Sequence, residues 1–109
     1  LERDGEALQA LRFAIIADPQ NAQLRMEAGD VCLANLGFRE EALDYYRLSR
    51  DISPSFTPIY SRLVNLLIEF GHGEEARSAL AAWRRLAPGD PAAAAAERRL
   101  SSLGQPRSK

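Results

Sequence analysis

Apolar residues recur at three- and four-residue intervals along most of the chain, the period of an amphipathic helix and not of a strand. Ala7, Leu8, Leu11, Ala14 and Ile15 make one such stripe and predict a first helix from about Asp4 to Ala17. Asp18-Pro19 stops it, because proline disfavours helical geometry in the residue before it. Leu24, Ala28, Val31 and Cys32 mark a second helix. Asn21 opens it with a side chain suited to a free backbone N–H, and Leu36-Gly37 closes it where glycine can take a left-handed cap. A third helix places Glu40 and Glu41 in its first turn, at the positive end of the helix dipole, and turns Ala42, Tyr45, Tyr46, Ser49 and Ile52 inward.

Ser53–Thr57 reads as a turn, and Thr57-Pro58 as a cap followed by a proline in the first helical turn. The fourth helix runs to Phe70, and Ile59, Tyr60, Leu63, Val64, Leu66, Leu67, Ile68 and Phe70 make it apolar almost all round. A helix of that kind is covered on several sides, so the core is expected there. A fifth helix spans about Glu74 to Leu86 and is closed by Pro88-Gly89. Asp90-Pro91 repeats the cap-and-proline device and opens a sixth helix that begins with Ala92–Ala96, strong helix formers with little area to bury. No alternating pattern of strand type occurs. The expectation is an all-α chain of six helices joined by short turns.

The helices repeat. Gly37 and Gly71, Glu41 and Glu75, Ala42 and Ala76, and Pro54 and Pro88 are each 34 residues apart. Glu6, Ala7 and Pro19 precede Glu41, Ala42 and Pro54 by 35. A fixed period of this size marks a solenoid, whose units bury their apolar faces against one another. Between Gly29 and Gly37 there is one residue more than between Val64 and Gly71, so the register of the earlier unit can shift by one.

The pairing of helices at 34-residue spacing resembles the tetratricopeptide repeat. Tyr60 takes the large aromatic slot of the family's first helix, Leu63 the next apolar slot, and Leu67 the slot usually given to tyrosine. Gly71 is the turn glycine, Ala76 the small residue of the second helix, Leu80 the next large slot and Pro88 the closing proline. Val64 and Trp83 depart from the pattern, which prefers small residues at both places. The earlier unit keeps Ala28-Gly29, Gly37, Ala42, Tyr45 or Tyr46, and Pro54. The resemblance implies an α-α superhelix in one domain over residues 1–104. It would comprise a partial repeat at 1–21, repeats at 22–56 and 57–90, a capping helix at 91–103 and a flexible tail at 105–109. Close approach of paired helices at Gly29 and Ala42, and at Val64 and Ala76, requires small side chains. Trp83 is expected to fill the space that the alanines of helix six leave, as a core residue and not as an exposed binding tryptophan.

Composition narrows the chemistry. Of 109 residues 46% are apolar and 27% charged, the balance of a folded domain. Cys32 is the only cysteine and His72 the only histidine, so neither a disulfide within the chain nor a Cys/His metal knuckle can be built. Glu40-Glu41 and Glu74-Glu75 are paired carboxylates, but their place in the first turns of equivalent helices accounts for them. His72 reads as a turn residue and Cys32 as a small buried hydrophobe. No nucleophile elbow or phosphate-binding loop is present. The chain is therefore read as no enzyme, with no cofactor, no metal and no catalytic residue. Residues 1–55 carry six arginines against ten acids, and residues 56–109 eight basic residues against five acids. This charge is too scattered for nucleic acid. No apolar run is long enough for direct membrane insertion. The sequence opens without methionine and mid-repeat and so reads as a fragment. The cytoplasm is the favoured compartment and the periplasm the second. Its alanine- and arginine-rich wording is of the kind associated with a high-GC bacterial source.

What the resemblance implies about function is a surface. In tetratricopeptide arrays the first helix of each pair lines a concave groove for an extended peptide or a partner helix. Projected onto this chain, Met26, Ser61 and Ala95 form one row, and Asp30, Asn65 and Arg99 a second. Leu33, Ile68 and Glu69 lie beyond them, and Arg62 flanks. The carboxylate clamp of the family's chaperone adaptors needs basic residues where Met26 and Asp30 stand, so a groove of mixed charge is expected instead. A protein–protein interaction scaffold is the first reading. Self-association through the exposed face of helix one (Leu8, Leu11, Ile15) is the second, and an accessory domain of a larger enzyme the third.

Overall fold

The structure, a computed structural model, describes residues 2–104. Its elements are α1 (Glu2–Ala17), α2 (Ala22–Val31), α3 (Arg39–Ile52), α4 (Pro58–Glu69), α5 (Gly73–Leu86) and α6 (Pro91–Gly104). α2 continues as a π-helical turn, Cys32–Leu36. Among the described residues everything else is turn or coil, so the all-α expectation holds and each boundary falls within two residues of its sequence signal. The chain forms two compact units, Leu1–Ile59 and Tyr60–Lys109. The expected tail, 105–109, lies outside the described residues.

The caps follow local chemistry. Asn21 accepts from the Leu24 N–H at 3.3 Å, and Asp90 from the Ala92 N–H at 2.9 Å, each satisfying a donor at a helix start. Thr57 directs its hydroxyl to the Ser55 carbonyl at 3.4 Å. Gly37 and Gly71 take the left-handed conformation, with φ of 71° and 79°, and end their helices there. At Gly71 the His72 N–H closes onto the Leu67 carbonyl, five residues back. At Gly37 the equivalent bond, from the Phe38 N–H to the Cys32 carbonyl, spans six. The extra residue is thus absorbed as a widened π turn, which brings both repeats to their glycine in the same conformation.

In the first unit α1 packs on α2 and α2 on α3. Ala42, Tyr46 and Ser49 are buried on the inner face of α3, and Tyr45 and Ile52 are half-buried. Gly29 lies against Tyr46 so closely that a Cβ there would sit 2.5 Å from the ring's Cε1. The small residue expected at this contact is therefore obligatory. The buried Ser49 hydroxyl donates to the Ala22 carbonyl at 2.8 Å, so its polarity is satisfied. Arg12 donates from Nε to the Tyr45 hydroxyl at 3.2 Å, and that bond raises its pKa.

One expectation is corrected here. The face of helix one expected to be exposed, Leu8, Leu11 and Ile15, is turned inward: Leu8 is 3% exposed and the other two are half-buried. α2 and the π turn pack against α1 and supply the cover. The apolar side chains left in solvent are Phe13, 63% exposed, and Ile16, 75% exposed.

α4 carries more of the core than any other described helix: Ile59, Tyr60, Leu63, Val64, Leu66, Leu67 and Ile68 are all buried. In the second unit α5 packs on α6, with Ala76, Ala79, Leu80 and Trp83 buried on one helix and Ala93, Ala96 and Leu100 on the other. Trp83, 1% exposed, is a core residue as expected.

Cys32 is buried, and burial pushes its thiol pKa up; Arg12 opposes the shift and Glu41 adds to it. The neutral thiol is a poor nucleophile, so a maleimide or disulfide reagent should label the folded chain at least about tenfold more slowly than the urea-unfolded chain. Labelling at the same rate in both states would contradict the closed packing around the π turn.

Candidate partner-binding faces

The expected groove residues divide between the two units. In the first, α2 presents Met26, Asp30 and Leu33 one helical turn apart. Met26 is buried, whereas Asp30 and Leu33 are half-buried. Asp30 is held from behind: the Tyr46 hydroxyl, inside the core, donates to its Oδ1 at 2.6 Å. This short charge-assisted bond fixes the carboxylate on its helix. The sequence contains both residues, but nothing in their spacing announces that they meet.

In the second unit the expectation that Asn65 and Arg99 form a row becomes a contact. Arg99 donates from Nη1 to the Asn65 Oδ1 at 2.7 Å, joining α4 to α6. The Asn65 amide in turn donates to the Ser61 carbonyl at 2.7 Å, one turn back on α4. An amide has two donors and two acceptor lone pairs, and a guanidinium five donors. The pair therefore keeps hydrogen-bonding capacity on a half-buried, preorganised side chain. Arg62 is half-buried alongside.

Ile68 and Glu69 go elsewhere. Ile68 is buried and Glu69 exposed, and both border a depression of about 400 Å³ with Phe70, Arg77, Leu100 and Leu103. A second depression, about 540 Å³, lies between α5 and α6 over Leu80, Ala81 and Leu100, with the Arg84–Glu97 ion pair on its border. Among the described residues no three His, Cys, Asp or Glu side chains are grouped to hold a metal ion. No described helix is long and apolar enough to cross a membrane.

Antiparallel helices repeated at 34 residues, with small residues at their crossings and glycine caps between them, define a helical-repeat solenoid. The family model for the tetratricopeptide repeat matches residues 39–100, more than half of the chain. The chain belongs to the tetratricopeptide repeat family. No curated protein matches it. Among solved structures it is similar to the first tetratricopeptide domain of Spaghetti (RPAP3) bound to the HSP90 peptide SRMEEVD, with a TM-score of 0.80, 22% identity, and coverage of 94% of this chain and 82% of that one. The second such domain of human RPAP3, in complex with the HSP70 peptide SGPTIEEVD, gives a TM-score of 0.76 at 21% identity and coverage of 96% and 84%. The Yersinia enterocolitica type III secretion chaperone SycD, in complex with a peptide of the translocator YopD, gives 0.71 at 18% identity and coverage of 94% and 77%.

Proposed function

We propose that this chain is a protein-interaction scaffold, with no catalysis of its own, that holds an extended peptide or a partner helix on the faces of its first helices. The observation that carries the reading is the Asn65–Arg99 contact, a polar pair at equivalent positions of successive first helices. An amide flanked by a guanidinium can bond a peptide's backbone and still leave its side chains to be chosen by neighbouring residues. The peptides held by similar folds in RPAP3 and SycD support the same use of these faces. Asp30, oriented by Tyr46, adds an acid on α2, while Arg62 and Arg99 add cations on α4 and α6. In this reading the partner is of mixed charge, and Met26, Leu33, Ser61, Ile68 and Glu69 complete the contact.

The test needs no known partner. A random peptide library displayed on phage is selected on the chain, and a recovered peptide is measured by fluorescence anisotropy. Asn65→Ala with Arg99→Ala should weaken binding about tenfold or more, the cost of a polar hot spot, while far-UV circular dichroism stays unchanged. Unchanged affinity would move the site off these helices, and a library with no enrichment would count against peptide binding itself.

A further inference from the structure

The internal repeat exposes a face of α1 that its counterparts keep covered. Ala42 on α3 and Ala76 on α5 are both 0% exposed, yet Ala7, the matching residue of α1, is exposed. Ala10 matches the buried Ala79, and it too is exposed. In α3 this face is covered by α2, as the Gly29 approach and the Ser49 bond to Ala22 show. On α1 the uncovered side runs Arg3, Glu6, Ala10, Phe13 and Ala17, spaced alternately by three and four residues, the seam pattern of a helix that pairs with another helix.

We propose that α1 is a self-association surface on which α1 of a second copy packs antiparallel, crossing at Ala10. The seam is complementary to itself in this direction. With Ala10 facing Ala10, Phe13 of each copy lies over Ala7 of the other, a large side chain against a small one. The 63% of Phe13 left in solvent is then covered. The charges agree as well. α1 has no basic residue in its last turn, and Asp18 follows it directly. Antiparallel pairing brings Arg3 of one copy to that negative helix end and to Asp18 of the other, twice by symmetry. Parallel pairing would put Arg3 beside Arg3 and leave both ends uncompensated. Asp18 is exposed, and its one described side-chain bond, from the Asn21 amide at 3.2 Å, fixes its position without neutralising it.

Sedimentation velocity of the 109-residue chain should show a dimer forming as concentration rises to about 100 µM. Phe13→Glu should leave a monomer of unchanged helicity. Asp18→Arg should raise the dimer dissociation constant about tenfold by setting like charges together, and adding Arg3→Glu should restore it. Ala10→Cys, on the two-fold axis, should cross-link rapidly under mild oxidation, while the exposed control Arg85→Cys on α5 should not. A monomer throughout, a dimer indifferent to Phe13→Glu, or charge reversals that do not rescue one another would each overturn the proposal.

Discussion

Gly29→Ala is expected to lower the unfolding free energy by about 1–3 kcal/mol, the cost of overpacking a closed contact. Intrinsic preference points the other way, since alanine in a helix interior is favoured over glycine by about 1 kcal/mol. Geometry decides the sign. The added methyl would stand 2.5 and 2.8 Å from two carbons of the Tyr46 ring and 3.2 Å from the Ala42 carbonyl. Tyr46 cannot easily retreat, being buried with its hydroxyl tied to Asp30. Urea unfolding followed by circular dichroism measures the loss. Gly5→Ala is the control: it lies in α1 with nothing within 4 Å of the new methyl. That change should stabilise by about 0.5–1 kcal/mol. If both substitutions stabilised, the close approach of α2 to α3 would be wrong. Gly29→Ala should also disturb Asp30, its neighbour in sequence, so a modest loss of peptide binding is expected with the loss of stability.

Trp83→Ala carries the largest expected effect, about 3–5 kcal/mol for removing a buried aromatic side chain. A domain of this size has a total stability of about 5–15 kcal/mol, so this variant should melt far below the parent. The indole is not only bulk. Its Nε1 donates to the Asp90 Oδ2 at 3.1 Å, while the other oxygen of the same carboxylate caps α6. One acid thereby satisfies the buried N–H and starts the helix that packs over it. Trp83→Phe keeps the ring and removes the donor, and should cost about 1.5–3 kcal/mol, the usual worth of a hydrogen bond to a charged group. Fluorescence gives an independent check, because the chain has a single tryptophan. Emission should be blue-shifted in the folded state and move to the red on unfolding. A native spectrum like that of free tryptophan would contradict the burial.

Much of the fold could be read without coordinates because its signals are local. Asn21, Gly37, Gly71 and Asp90 each act within a turn or so of their own backbone, and the structure places each in its expected role. The size of Trp83 opposite a run of alanines likewise announced a packed pair, since volume must be filled wherever two helices meet. The candidate site was legible only as a row of positions. That Asn65 and Arg99 share a hydrogen bond, and that Ile68 and Glu69 border a separate depression, depends on how α4 and α6 are juxtaposed.

The sequence by itself determined the six helices, their caps, the 34-residue repeat and the tetratricopeptide family. Helical periodicity and capping are short-range, and a repeat copies them. The tertiary structure alone decided three further things. It absorbed the extra residue between Gly29 and Gly37 as a π turn, because both repeats must reach their glycine with the next helix in the same place. It turned Leu8, Leu11 and Ile15 inward and left Phe13 and Ile16 outward, because a stripe of apolar residues does not say which neighbour will cover it. It brought Tyr46 to Asp30, 16 residues away, because a hydrogen bond between helices follows from the crossing that Gly29 permits.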